Sequence, residues 1–100
     1  MSLPESVVLR DVSLRDGLQD EEPVGTDAKV AIFDALVVAG IRDLEVTSFV
    51  RPDRVPALAD AEALCSATAE SAARHGITRW GLVLNGRGAE RALAAGLDHL

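Results

Sequence analysis

Residues 13–21, SLRDGLQDE, set five ionic or amide side chains, Arg15, Asp16, Gln19, Asp20 and Glu21, around the single glycine Gly17. A turn after a strand needs a glycine or a cap and one or two polar groups, so the surplus points to a ligand. Asp16 offers a hard carboxylate of the kind that suits Mg²⁺ or Mn²⁺. Arg15 offers a fixed cation whose fork fits a carboxylate or a developing enolate. Glu45, set between Leu44 and Val46, can anchor Arg15. From spacing alone, the same residues also make a solvated turn with a local salt bridge.

The elements that must position these groups follow from periodicity. Val7 through Leu14 has a partly alternating, β-branched character and predicts a first strand closed by Gly17. Thr26 as N-cap, then Val30, Phe33, Leu36 and Val37 at helical spacing up to Gly40, predict a first helix. Arg42 through Phe49 alternates at period two and predicts a second strand, parallel to the first because a helix intervenes. Pro52 and Pro56 punctuate a loop. A second helix is expected from near Leu58 to His75, with Ala61, Leu64, Cys65, Thr68 and Ala72 on one side and Gly76 as its stop. Trp80–Leu84 reads as a third strand, Asn85–Gly88 as a turn, Ala89–Ala95 as a short helix, and Leu97–Leu100 as the approach to a fourth strand.

A βαβαβα order specifies a parallel sheet with helices outside it, either an open doubly wound sheet or a (β/α)8 barrel. A barrel needs about 250 residues, so on that reading these 100 residues are a portion of one catalytic domain, covering about its first three β/α units. Strand parity puts Asp11, Ser13 and Arg15 on one face, opposite Val8, Val12 and Leu14, and Asp43, Glu45 and Thr47 on one face, opposite Leu44 and Val46. The apolar faces are expected to meet the helices. The charged faces then need a countercharge or a metal, because burying unpaired charge costs several kcal/mol, on the order of magnitude seen in real interiors. Arg15 and Asp16 sit where the first strand turns, at the C-terminal end at which parallel α/β folds bind ligands.

Composition narrows the partners. Formal net charge is -6, with Lys and Arg scattered rather than striped, so neither a nucleic-acid surface nor an anionic-membrane patch is expected and a small-molecule partner is. The most apolar segment, VAIFDALVVAGI, is broken by Asp34 and falls short of the roughly 20 residues that cross a bilayer. One cysteine, Cys65, and an N-terminus without basic and apolar signal regions lead to the expectation of a cytoplasmic location. Cys65, on a helix face with Leu64 and Ala61, is expected to pack rather than react.

Three segments in order, SLRDGLQDE, LEVTSFVRPDRVPALADAE and LNGRGAERALAAG, together resemble the N-terminal part of the hydroxymethylglutaryl-CoA lyase family of TIM-barrel metallolyases. The resemblance spans nearly the whole chain. It implies cleavage of 3-hydroxy-3-methylglutaryl-CoA to acetyl-CoA and acetoacetate with Mg²⁺ or Mn²⁺, an acyl-CoA as the small-molecule partner, and a homo-oligomer. It implies Asp16 as the metal ligand, Arg15 as the catalytic arginine that also meets substrate, Glu45 as the supporting acid, and Gln19 and Thr47 as substrate-side groups. The family's late His-x-His metal pair and its glycine-loop cysteine have no counterpart within these residues; His75, beside a helix stop, and His99 do not replace them. Asp20 stands where the family often has asparagine, and Leu84-Asn85-Gly86 replaces its Pro-Asn-aliphatic turn. Gly86-Arg87-Gly88 is a weak phosphate signal and a better turn. With one carboxylate for a metal, these 100 residues alone are expected to be inactive. Two other readings remain: a related lyase or aldolase acting on another hydroxy or 2-oxo acid, and an assembly module that pairs through an open sheet edge.

Overall fold

Strands and helices alternate in a computed structural model that describes residues 9–97 and 99–100. The elements are β1 (Arg10–Asp11), α1 (Thr26–Val38), β2 (Asp43–Ser48), a 3₁₀ turn (Pro56–Leu58), α2 (Ala61–His75), β3 (Thr78–Leu82) and α3 (Gly86–Ala94). All pairings are parallel and the sheet order is β1-β2-β3.

That order, with one further bridge, selects between the two architectures. Trp80 of β3 pairs in parallel with His99, where Gly81 N donates to His99 O at 3.1 Å and His99 N to Arg79 O at 3.2 Å. The chain therefore enters its next strand beside β3. A doubly wound sheet returns to the other side of β1 or places β1 in the middle. Strands added in sequence order in one direction are the way a (β/α)8 barrel grows.

Burial explains why the helices lie where they do. On α2, Ala61, Leu64, Cys65, Thr68 and Ala72 are buried, the stripe expected from its spacing, and Gly76, at φ 66°, ends the helix in the left-handed region open to glycine. Cys65 is fully buried. Phe33 and Val37 of α1 join Leu44 and Val46 of β2 and Leu14 of the β1–α1 turn in the core, each large side chain contributing about 1.5–3 kcal/mol by leaving water. No helix among the described residues is long and apolar enough to cross a membrane.

Several boundaries differ from the sequence expectation. Val7 and Val8 lie outside the described residues, and β1 ends at Asp11 rather than running to Leu14. Thr26 does not cap α1: Gly25 holds that position, and the Thr26 hydroxyl donates instead to Asp60 Oδ2 at 2.6 Å. The α2 helix begins at Ala61, because Pro56 starts a separate 3₁₀ turn. Strand β3 lies two residues earlier than expected. Asn85–Gly88 is not a free turn but the start of α3, with the Asn85 side chain accepting from Gly88 N at 2.8 Å.

Candidate active site

The residues after β1 wind into a tight turn. The Val12 carbonyl accepts from the amides of Arg15, Asp16 and Gly17 at 3.2, 2.7 and 3.2 Å. Asp11 Oδ1 accepts from Ser13 N at 2.8 Å, and Leu14, 1% exposed, pins the turn to the core. A Cβ added at Gly17 would stand 2.5 Å from the Ser13 carbonyl oxygen. Only glycine allows the chain to approach itself this closely here.

This turn delivers Arg15 to the C-terminal end of the sheet. Its Nε donates to Glu45 Oε1 at 3.0 Å and its Nη2 makes an ion-pair contact with the same oxygen at 2.8 Å, and both side chains are largely shielded, 19% and 16% exposed. The anchoring expected between them is therefore present. Asp16 is open to solvent at 66% exposure, with Oδ1 3.4 Å from Arg15 Nη1. An exposed hard carboxylate at the open end of a parallel sheet fits one position in the shell of Mg²⁺ or Mn²⁺. Among the described residues no three His, Cys, Asp or Glu side chains gather to complete such a shell.

Strand register decides which other groups face Glu45. Arg10 pairs with Asp43 and Asp11 with Leu44, so Arg10, not Asp11, shares the face of Glu45. The parity expected for Asp11, Ser13 and Arg15 fails because the strand has ended before Ser13. In β2 the pairing steps from Glu45–Trp80 to Thr47–Gly81, which leaves Val46 as an extra residue. Such a bulge reverses the parity beyond it. Thr47 then lies on the side of Leu44 and Arg79, which faces α2, and Ser48, paired with Leu82, takes the side of Glu45. Thr47 is fully buried and its hydroxyl has no hydrogen-bond partner among the described residues, so a substrate contact through Thr47 does not follow from its position. Ser48 donates to Leu82 O at 3.2 Å.

Gln19 is half-buried and lines a hollow of about 280 Å³ with Asp20, Glu21, Arg54 and Pro56, between the turn after β1 and the loop before the 3₁₀ turn. His75 Nδ1 lies 3.0 Å from Ser71 O in the last turn of α2, in keeping with a helix-end role. His99 stacks on Trp80, ring centroids 4.5 Å apart. Gly88 N is already taken by Asn85, which removes one amide from any phosphate cradle at Gly86–Gly88. Three polar groups escaped the sequence reading. Arg10 and Ser48 were missed because register, not composition, puts them on the sheet face of Glu45. Lys29, 1% exposed, was missed because helical spacing favoured Val30; its ammonium meets Ala57 O at 2.6 Å and Asp60 Oδ1 at 2.5 Å.

A parallel sheet growing strand by strand, with an arginine–glutamate pair and an exposed aspartate at its C-terminal end, has the architecture of the first β/α units of a (β/α)8 barrel. No family model matches the chain. It is 36% identical over 99 residues to a hydroxymethylglutaryl-CoA lyase of Bacillus subtilis, covering 98% of this chain and 32% of that protein. It is 39% identical over 104 residues to an (R)-citramalyl-CoA lyase of Chloroflexus aurantiacus, covering 96% of this chain and 33% of that protein. Among solved structures, the hydroxymethylglutaryl-CoA lyase of Pseudomonas aeruginosa matches with TM-score 0.87 at 37% identity, over 97% of this chain and 32% of that one. A lyase of the same name solved with coenzyme A and 3-methylmalate matches with TM-score 0.80 at 36% identity, over 91% of this chain and 29% of that one. The chain is a relative of the hydroxymethylglutaryl-CoA lyases and corresponds to the N-terminal part of their TIM barrel. It spans about a third of the length of the curated relatives it matches.

Proposed function

We propose that the chain is the N-terminal portion of a divalent-metal-dependent carbon–carbon lyase that cleaves 3-hydroxy-3-methylglutaryl-CoA to acetyl-CoA and acetoacetate. The observation that carries this reading is the shielded Arg15–Glu45 pair beside the exposed Asp16, at the end of the sheet where barrel enzymes do chemistry.

In this reading the tertiary hydroxyl loses its proton, the adjacent carbon–carbon bond breaks, and the electron pair moves onto the thioester carbonyl as an enolate that is then protonated to acetyl-CoA. The other fragment leaves as acetoacetate. Arg15 supplies donors for the thioester oxygen as negative charge grows there. Glu45 accepts from Nε and pairs with Nη2, which holds the guanidinium with Nη1 toward Asp16. Asp16 is the residue of this segment that would hold Mg²⁺ or Mn²⁺; the bound ion would supply a positive charge that eases loss of the hydroxyl proton. Gln19, on the same turn, is the substrate-side amide of this reading.

The test is acetoacetate release from 3-hydroxy-3-methylglutaryl-CoA by the longest polypeptide the gene encodes, with Mn²⁺, with chelator, and with Asp16→Asn. Turnover lost in both controls supports the reading. A folded, metal-binding protein with no turnover sinks it.

The 39% identity to an (R)-citramalyl-CoA lyase favours one second reading, in which the same site cleaves another 3-hydroxyacyl-CoA. Comparing kcat/KM for the two CoA esters separates them.

A further inference from the structure

Arg15 is not the only guanidinium on Glu45. Arg10 Nη1 lies 3.8 Å from Glu45 Oε2, whereas both Arg15 contacts go to Oε1. The carboxylate is therefore shared, one oxygen to each arginine. Arg10 is itself held from the other side: its guanidinium carbon sits 3.6 Å from the centroid of the Trp80 ring. Trp80 is fixed in turn, because its indole N–H donates to Asp43 Oδ1 at 3.1 Å and its ring stacks on His99. A guanidinium lying on an aromatic face keeps its edge free for a carboxylate. The stack of Trp80 and Arg10 thus ends with that edge directed at Glu45.

We propose that Arg10 is a positioning residue for Arg15, acting through Glu45. By its ion-pair attraction to Oε2 across 3.8 Å it favours the rotamer that leaves Oε1 to Arg15, and by sharing the carboxylate's charge it leaves Arg15 less neutralised toward the substrate. Without Arg10, Glu45 serves Arg15 alone and its Oε2 loses that neighbouring cation. This role rests on the lyase reading for its kinetic consequence, but not for its geometry.

The test uses the longest polypeptide the gene encodes and two readouts. In steady-state kinetics on 3-hydroxy-3-methylglutaryl-CoA, Arg10→Met is expected to lower kcat about tenfold with KM within about twofold, while Arg10→Lys keeps at least about half of kcat. In an Arg15→Gln background, Arg10→Met is expected to cost little more, because its effect passes through Arg15. The second readout is hydrogen exchange of the Arg15 Nε–H by NMR, expected to quicken at least about tenfold in Arg10→Met and to stay slow in Arg10→Lys. Trp80→Leu carries the same measurements if Arg10→Met does not fold. Additive losses in the double variant, or an unchanged Arg15 Nε–H, overturn the proposal. Wild-type protein without turnover overturns the lyase reading, and the exchange measurement still decides the role of Arg10.

Discussion

Arg15 and Glu45, thirty positions apart in sequence, meet with two guanidinium nitrogens on a single carboxylate oxygen, at 3.0 and 2.8 Å. One residue belongs to a turn and the other to the middle of β2. Their contact ties the turn after β1 to the sheet and sets the direction of the remaining Arg15 nitrogen, which lies 3.4 Å from Asp16.

Because both partners are mostly shielded, removing either leaves the other with a poorly solvated charge. Arg15→Gln is expected to reduce kcat about 10²–10³-fold, the range for losing one preorganised donor to a developing oxyanion. Glu45→Gln is expected to do less damage to kcat than Arg15→Gln, since the donor survives but is less well held. Equal kcat for Arg15→Gln and wild type, with the fold verified by circular dichroism, would remove Arg15 from the mechanism.

Gly17→Ala tests the turn itself. Its Cβ would meet a backbone oxygen, Ser13 O at 2.5 Å, and backbone cannot swing aside as a side chain can. The expected result is loss of ordered placement of Arg15 and Asp16, read as weaker Mn²⁺ binding in calorimetry and a fall in turnover. Metal affinity equal to wild type counts against the turn as drawn.

Lys29 and Asp60 join the start of α1 to the start of α2, with Thr26 sharing the carboxylate. Lys29 is 1% exposed and Asp60 23%, so the two ends of the pair are unequal. Asp60→Ala strands a buried ammonium and is expected to cost about 3 kcal/mol of stability. Lys29→Met leaves a carboxylate that reaches water and is expected to cost less. Urea unfolding of the two variants ranks them, and the reverse order would refute the asymmetry.

Glu62 and Arg91 join α2 to α3 through contacts of 2.7 and 2.9 Å. Donation from Arg91 is the main cause that holds the Glu62 carboxyl below its ordinary value of 4.5. A depressed carboxyl adds stability above its unfolded pKa, and that stability fades as pH falls through the folded one. Glu62 is 49% exposed, so solvent screening limits the contribution to less than about 1 kcal/mol. Glu62→Gln is therefore expected to be slightly less stable than wild type at neutral pH, with the gap closing in acid. A gap that widens on acidification has the wrong sign.

The alternation of strands and helices was legible from periodicity, since burial on one side writes a period of two or 3.6 into the chain. The buried stripe of α2, from Ala61 to Ala72, was readable residue by residue for that reason. So was the crowding of charge around Gly17, and the pairing of Arg15 with Glu45, because an acid flanked by Leu44 and Val46 needs a partner.

What the chain did not disclose by itself depends on neighbours distant in sequence. Whether the sheet is barrel-like was decided by His99 reaching β3, a contact made by the last residues with a strand some twenty positions earlier. The extra residue at Val46 turned Thr47 to the face opposite Glu45 and put Ser48 on the face of Glu45, and no local pattern marks a bulge, because it is set by the register against Gly81. Arg10 became part of the site only through pairing with Asp43 and stacking on Trp80. Local sequence determined which elements form and which groups carry charge; which charges meet was left to the tertiary structure, because a one-residue shift in pairing sends a side chain to the opposite face of the sheet.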